Sequence, residues 1–443
     1  MLISILGAAE SGVGAAVLAQ AKGYEVFVSD WGTIREEYKR ELDIRGIPWE
    51  EGKHTPETIL RSAEIIKSPG IPDTAPIVRE AVGRGVPIIS EIEFAGRYTQ
   101  AKTICITGSN GKTTTTSLIF HILQKAGFDV GLAGNIGRSL ARQVAENDRE
   151  WYVIELSSFQ LDNMYRFRAH IAVLLNITPD HLDRYEFKMQ NYVDSKMRIL
   201  QNQQAEDTFI FWSGDEYVPR ELGKYAVSSR LMAFSDEAQA QSVGYADAEK
   251  VTVTAPVPFE MPRKGLSLPG RHNLRNSLAA ALAALSAGVP AQVVEEGLGD
   301  FPGVEHRLEK VRDVNGVHYV NDSKATNVDA CYCALEAQTT PVVLILGGRD
   351  KGNDYSAIAA AVREKCRALV FLGVDNKKLL DFFGGFGLPI RDTHSMADCV
   401  AACVEEAQPG DTVLLSPCCA SFDLFHNMED RGEQFKTLVR NLK

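Results

Sequence analysis

No stretch of about 18 uninterrupted apolar residues occurs anywhere in the 443-residue chain, so a membrane-spanning helix is not expected. Positive charge is in short supply as well. Forty-seven lysines and arginines against 58 aspartates and glutamates give a formal net charge of -11. That balance disfavours a nucleic-acid or anionic-membrane surface, because both select basic patches. Any anionic ligand must therefore meet positive charge locally. The start, MLISILGAAESGVG, lacks a basic n-region and a cleavage pattern, and a cytoplasmic protein is expected. The eight cysteines (Cys105, Cys331, Cys333, Cys366, Cys399, Cys403, Cys418 and Cys419) match neither a zinc ribbon nor a thioredoxin-type CxxC pair. Reduced, mostly buried thiols are the reading that follows. Internal repeats and low-complexity segments are also lacking.

What is present is 45% apolar residues, 24% charged residues and 36 glycines, the composition of a loop-rich α/β protein. The length exceeds what one core organises, and three domains are expected. LISIL, a helix from about Ser11 to Lys22, YEVFVSD, AEIIKSPG and VPIIS follow the βαβ rhythm of a parallel, Rossmann-like sheet over residues 1–98. A second unit, 99–302, opens with the strand KTICIT, the loop GSNGK and a helix closed by Gly127; WYVIEL and HIAVLLNIT add buried strands. VTVTAPVPF reads as an antiparallel strand, and RHNLRNSLAAALAALSAG as an alanine-rich helix ending at Gly288. From 303 to 443, GVHYVND, PVVLILGG, ALVFLG and DTVLLSP predict a third, again Rossmann-like, α/β domain.

Gly108-Ser109-Asn110-Gly111-Lys112-Thr113 lies between a strand and a helix, where successive backbone N–H groups and the helix N-terminus can converge on phosphate. Lys112 would reach the terminal phosphates and Thr113 would offer its hydroxyl to Mg²⁺, with Thr114 beside it. Ile106 stands where the strict P-loop pattern has glycine, yet the mechanical parts are present. ATP binding is the expectation.

Gly7, Gly12 and Gly14 follow the first strand and Asp30 closes the second, in the manner of a dinucleotide fold. The spacing is G-x4-G-x-G, so the part of the pattern specific to NAD is missing. What survives is a strand-to-helix turn able to hold a diphosphate, or a turn needed only for packing.

Glu155 ends WYVIEL and His181 lies in NITPDHLD, both at carboxyl ends of strands where α/β sites gather. Glu155 is a candidate Mg²⁺ ligand, since Mg²⁺ takes oxygen ligands and keeps several waters. His181 reads either as a functional residue or as part of a helix start capped by Thr178 or Asp180. Lys196, in YVDSKMRIL, lies on an amphipathic helix where a lysine by default faces solvent.

TGSNGKTTT, GNIG, ELSSFQL, NITPDHLDRY, SKMRI, LPGRHNLRNSLAA, HRLE, NDSKATN, LGGRDKG and SPCCASFD occur in one order, and together they resemble the Mur ligase family over essentially the whole chain. The resemblance implies a P-loop ATPase as the central domain, flanked by a UDP-substrate domain and an amino-acid-binding domain. It also implies a monomer that joins UDP-N-acetylmuramoyl-L-alanine to D-glutamate through an acyl phosphate, in peptidoglycan precursor synthesis. By resemblance, Gly108, Ser109, Asn110, Gly111, Lys112, Thr113, Thr114, Asn273, Asn276, Arg307 and Asp322 contact ATP. Thr113, Glu155, His181 and Lys196 serve Mg²⁺. The lysine of the SKxR motif is carbamylated by CO₂ in this family, which revises the reading of Lys196 and makes it catalytic beside Lys112 and His181. Gly12, Asp30, Ser68, Gly70, Asn135, Ser157 and His181 are assigned to the UDP substrate. Lys324, Thr326, Lys351 and Ser421 are assigned to D-glutamate, where two cations and two hydroxyls suit an amine bearing two carboxylates.

Two positions depart from the family pattern. Asp30-Trp31-Gly32 replaces a Thr-Arg pair expected at the uracil and diphosphate, and Met428 stands where an aromatic is expected near the glutamate pocket. The alternatives are a folylpolyglutamate-type ligase, which shares the ATPase core but should lack a UDP domain like residues 1–98, and a nucleotide-dependent binding protein without ligase chemistry. An NAD oxidoreductase is a poorer third.

Overall fold

The computed structural model describes all 443 residues, Met1–Lys443, and divides into two compact units. The first unit comprises Met1–Ser267 with Leu274–Phe301, and the second Leu268–Asn273 with Pro302–Lys443.

Two sheets belong to the first unit. Short β-branched runs separated by helix-length connections can pair only in parallel, because a crossover must return the chain to the same edge of the sheet. In the first sheet the strands lie in the order Trp49–Glu51, Glu25–Asp30, Leu2–Leu6, Glu64–Lys67 and Ile88–Ile89, all parallel. The helix after the first strand spans Glu10–Ala21, one residue earlier at each end than the sequence suggests. Connections leave the first strand on opposite sides, so the crevice between the carboxyl ends of Leu2–Leu6 and Glu64–Lys67 is a topological switch point.

The second sheet has nine strands in the order Phe259–Pro262, Lys250–Val253, Ser242–Ala246, Arg230–Phe234, Thr208–Trp212, Ile171–Leu174, Lys102–Thr107, Trp151–Glu155 and Val130–Gly134. Its last seven strands are parallel. Lys250–Val253 pairs antiparallel on both sides, as expected for VTVTAPVPF. Helix Arg271–Ser286 is buried almost all round from Leu274 to Leu285, which is what an alanine-rich helix with leucines on several faces requires.

Buried, paired charges fasten the first sheet's helices to the second sheet, which is why these two layers form one unit. One Glu93 carboxylate oxygen accepts from the backbone N–H groups of Tyr165, Arg166 and Phe167 at 2.9–3.0 Å. Arg142 grips Glu41 with two bonds of 2.6 and 3.0 Å and reaches Glu10 at 3.2 Å. Glu91 accepts from Ser139 Oγ and Ala141 N–H, and burial raises its pKa to about 7.

The second unit carries one six-stranded sheet, ordered Glu309–Val314, Val317–Asn321, Thr412–Cys418, Val342–Gly347, Cys366–Leu372 and Ile390–Thr393, parallel except for its first strand. Its core is formed by fully buried Val, Ile and Leu residues of the central strands. Seven cysteines lie in this unit, six of them buried, and all eight in the chain are free thiols, in line with the sequence reading.

Candidate active site

Strand Lys102–Thr107 lies between Ile171–Leu174 and Trp151–Glu155, so the loop leaving its carboxyl end opens at the second sheet's own switch point. The loop needs its glycines. Gly108 has φ +151° and Gly111 φ +85°, and a Cβ on Gly111 would fall 2.4 Å from Asn276 Oδ1. Gly111 caps helix Lys112–Lys125, leaving the first-turn N–H groups directed outward.

A second loop, after Ile171–Leu174, shapes the first. Asn176 Oδ1 accepts from Asn110 N–H at 2.9 Å and its Nδ2 donates to the Asn110 carbonyl at 3.0 Å. Ser109 Oγ donates to the Thr178 carbonyl at 2.8 Å and accepts from Thr178 N–H at 2.9 Å. Asn176 and Thr178 were missed as loop-shaping residues in the sequence, although NITPD is visible there.

Lys112 folds back over the loop, donating to the carbonyls of Gly108 and Ser109 at 2.8 and 2.9 Å. Lys196 reaches the same place from helix Met189–Met197, donating to the Gly108 carbonyl at 2.8 Å. The solvent-facing default for Lys196 is thus wrong. The residue is 1% exposed, with its amine 4.7 Å from the centre of the Tyr192 ring. Burial, reinforced by the neighbouring Lys112 charge, holds its pKa well below the ordinary lysine value. Two lysine amines thus converge on one carbonyl, and the charge of Lys112 is what disfavours a second charge on Lys196.

Glu155 lies at the carboxyl end of the adjacent strand, 1% exposed. Its Oε1 accepts from Asn135 Nδ2 at 2.9 Å, while its Oε2 is buried with no hydrogen-bond partner. An ionised carboxylate oxygen left unpaired in the interior is costly unless a cation completes it. Glu155, together with the Thr113 hydroxyl at the loop, therefore fits an oxygen-ligated Mg²⁺. His181 sits at φ +52° before a single 3₁₀ turn, Leu182–Tyr185, with its ring edge-on to Phe159 at 5.2 Å. The turn is too short to be the helix that TPDH was read as opening.

Among the residues assigned to the UDP substrate, several meet at the first sheet's switch point. A Cβ on Gly12 would sit 1.9 Å from the Gly7 carbonyl oxygen, and one on Gly7 2.5 Å from Ser68 Oγ, so the turn is packed against the Ser68 loop. Ser68 Oγ is buried without a partner. Asp30 holds the turn, accepting from Ala8 N–H at 2.7 Å and from Gly32 N–H at 2.8 Å. Gly70, by contrast, is exposed with open space around its Cα, and nothing in the fold demands glycine there. Ser157 caps helix Ser158–Leu161 in a reciprocal box with Gln160, a role that accounts for it without any ligand.

Asn276 lies in the first unit, against Gly111 as described, whereas Asn273 lies in the second, donating to the Pro269 carbonyl at 2.9 Å. In the second unit, three strand ends converge. Asp322 follows Val317–Asn321, accepting from Ser416 Oγ at 2.9 Å and Leu308 N–H at 3.2 Å. Burial pushes its pKa up to about 6, opposed by the Arg307 charge. Arg307 has a buried Nε–H without a partner, a donor suited to an anion. Lys324 and Thr326 sit on the loop after Asp322, Lys351 on the exposed loop after Val342–Gly347, and Ser421 on the loop after Thr412–Cys418.

Sequence reasoning missed Arg431, the fully buried cation that joins two of these loops. Its guanidinium donates to Ser323 Oγ at 3.0 Å, the Ser323 carbonyl at 2.8 Å and the Cys419 carbonyl at 3.1 Å. Met428, one turn earlier, accepts from Ser323 Oγ through its carbonyl at 2.7 Å, a contact indifferent to side-chain identity.

This arrangement, a phosphate loop and buried carboxylate on one switch point, a glycine turn on another and, in the second unit, a cation-bearing cluster of loops at strand ends, is that of an ATP-using α/β ligase. The chain belongs to the Mur ligase family. Residues 106–284 match the Mur ligase middle domain, 306–419 the glutamate ligase domain of Mur ligases, and 3–76 the MurD N-terminal domain. The last match covers the region that a folylpolyglutamate-type ligase is expected to lack.

Among curated proteins, the chain is 59% identical over 441 residues to UDP-N-acetylmuramoylalanine--D-glutamate ligase of Bacteroides fragilis, covering 99% of each. It is 56% identical over 443 residues to the protein of that name from Porphyromonas gingivalis, covering 99% of this chain and 98% of the relative. Among solved structures it resembles UDP-N-acetylmuramate-alanine ligase MurC of Thermotoga maritima, with a TM-score of 0.64, 19% identity and full coverage of both chains. MurF of Acinetobacter baumannii gives a TM-score of 0.60 at 17% identity, covering 82% of this chain and 87% of that one. At these identities the two structures speak to the fold alone. No helix is long and apolar enough to cross a membrane.

Proposed function

We propose that this chain, acting as a cytoplasmic monomer, uses ATP to join the terminal carboxylate of UDP-N-acetylmuramoyl-L-alanine to the amine of D-glutamate. The observation that carries the reading is the convergence of Lys112 and Lys196 on the Gly108 carbonyl, beside a buried Glu155 oxygen that lacks a partner. We take 1–98, 99–302 and 303–443 as the UDP-substrate, ATPase and amino-acid-binding domains.

In the first step a substrate carboxylate oxygen attacks the γ-phosphorus of ATP, the bond to the β,γ-bridging oxygen breaks, and ADP leaves with that electron pair. Lys112 leaves its resting bonds to the loop carbonyls and, with the loop N–H groups, holds the phosphoryl oxygens as their charge develops. Thr113, Glu155 and His181 are the residues we assign to Mg²⁺, which when bound spreads that charge further. Burial, reinforced by the Lys112 charge, lowers the Lys196 pKa and so favours its neutral form, and a neutral amine adds CO₂ at Nζ, releasing one proton and leaving a carbamate anion. That anion would place a negative charge beside Lys112 and offer oxygens to a bound Mg²⁺. In the second step the D-glutamate amine attacks the acyl carbonyl, the tetrahedral intermediate expels phosphate, and the ammonium proton is released. Lys324, Thr326, Lys351 and Ser421 orient the two carboxylates of D-glutamate. Arg307 and Asp322 contact ATP in this reading.

Hydroxylamine tests the intermediate. Supplied in place of D-glutamate with ATP, Mg²⁺ and UDP-N-acetylmuramoyl-L-alanine, it should capture the acyl phosphate as a hydroxamate of the UDP substrate. ADP formation without hydroxamate would remove the acyl-phosphate step.

A further inference from the structure

Arg431 is 1% exposed, and a guanidinium is tolerated in the interior only where the fold surrounds it with acceptors. It enters from helix Met428–Arg440. Its Nε and Nη2 hold Ser323 by the hydroxyl and the carbonyl, and its Nη1 holds the Cys419 carbonyl. A third loop closes on the same group. A Cβ on Gly348 would lie 3.2 Å from Arg431 Nη1 and 2.3 Å from the Ala420 carbonyl oxygen, at φ +121°, so only glycine lets this loop come so near. The Arg349 N–H then donates to that Ala420 carbonyl at 2.8 Å. Burial lowers the Arg431 pKa to about 10, which leaves the group charged at neutral pH.

The three loops follow strands Val317–Asn321, Val342–Gly347 and Thr412–Cys418, and each carries residues assigned to D-glutamate. Ser323 is one residue from Lys324, Cys419 two from Ser421, and Gly348 three from Lys351. We propose that Arg431 is the positioning residue of the amino-acid site: it touches no substrate, and it fixes the spacing of the three loops that do. The proposal rests on the D-glutamate reading above and adds a residue outside the assigned set. An amino acid with two carboxylates is held well only when the groups receiving them keep their separation. A planar guanidinium with five donors fixes several loop segments at once, which the compact ammonium of a lysine on its flexible stem does not reproduce. Asp322, assigned to ATP, takes its bonds from Ser416 and Leu308 rather than from Arg431. A loss at Arg431 should therefore fall on the second step, where D-glutamate is used, and spare the first.

Two variants of the full chain test this: Arg431→Lys, which keeps the cation but not the fork, and Ser323→Ala, which removes only the hydroxyl that Arg431 Nε meets. Initial rates give the KM for D-glutamate, and hydroxylamine trapping without D-glutamate gives the acyl phosphate. Arg431→Lys should raise the KM for D-glutamate about tenfold or more and Ser323→Ala should raise it less, while both keep hydroxamate formation within about twofold of wild type. Hydroxamate formation also shows that a variant is folded. A KM for D-glutamate within about twofold of wild type in Arg431→Lys, or an equal loss of hydroxamate formation and D-glutamate-dependent turnover, overturns the positioning role. Should Arg431→Lys fail to fold, Ser323→Ala decides the matter, and an unchanged KM there overturns the role as well. Wild type that forms hydroxamate but does not use D-glutamate overturns the D-glutamate reading instead.

Discussion

Replacing Lys196 with methionine keeps the length of the side chain and removes the amine, and its effect on stability has a definite sign. In the folded chain burial beside Lys112 depresses the Lys196 pKa, whereas the unfolded chain holds that proton up to about 10.5. Between those two values the unfolded state binds one more proton, so this residue makes stability rise with pH, by about 1.4 kcal/mol per pH unit. From pH 8.5 to 9.5, below the unfolded value, wild type should therefore gain stability relative to Lys196→Met, by up to about 1.4 kcal/mol. All four tryptophans, Trp31, Trp49, Trp151 and Trp212, lie in the first unit, so their fluorescence reports the unit that contains Lys196. Urea titrations of both proteins in CO₂-free buffer at the two pH values give the comparison. Parallel pH dependence would show that Lys196 is solvated and charged when folded, and the carbamate argument would fall with it. In activity assays Lys196→Met should be inactive, and Lys196→Ala should regain turnover in the presence of a small carboxylic acid.

Gly111→Ala places a Cβ 2.4 Å from Asn276 Oδ1 at φ +85°, a conformation costing about 1–2 kcal/mol for an L-residue, and should raise the KM for ATP at least tenfold, as initial rates would report. Glu155→Gln keeps an acceptor for Asn135 but removes the buried charge; kcat/KM should fall by at least about a hundredfold at fixed Mg²⁺, with an unchanged circular dichroism spectrum. Asp322 has its folded pKa raised from 3.8 to about 6, so it remains protonated in the folded chain after the unfolded chain has lost the proton. Wild-type stability should consequently fall as pH rises through that window, by ~3 kcal/mol in all, and calorimetry between pH 4 and 7 should show the fall lessened in Asp322→Asn.

Much of this site is legible in the sequence because its chemistry is carried by local patterns. A strand, a glycine loop and a lysine opening a helix form a contiguous unit, and KTICITGSNGKTTTT displays it without help from the rest of the chain. Glu155 and Asp322 are visible because each ends an apolar strand run. Lys196 is hidden because its helix, MQNYVDSKM, has a polar composition, and its burial depends on packing under a loop 88 residues away. Ser157 resembles a ligand-binding serine until the reciprocal bonds to Gln160 show it to be a helix cap. Arg431 could not be placed either, since its partners at Ser323 and Cys419 come together only when the strands of the second unit are aligned. The merging of the first two sheets into one unit likewise depends on long-range pairs such as Arg142 with Glu41.

The most direct test of the central claim is phosphate release from ATP and Mg²⁺ in the presence of UDP-N-acetylmuramoyl-L-alanine, compared among D-glutamate, L-glutamate and no amino acid. The account predicts release only with D-glutamate, accompanied by a UDP product heavier by one glutamyl residue. Equal release with L-glutamate, or none with D-glutamate, would contradict it.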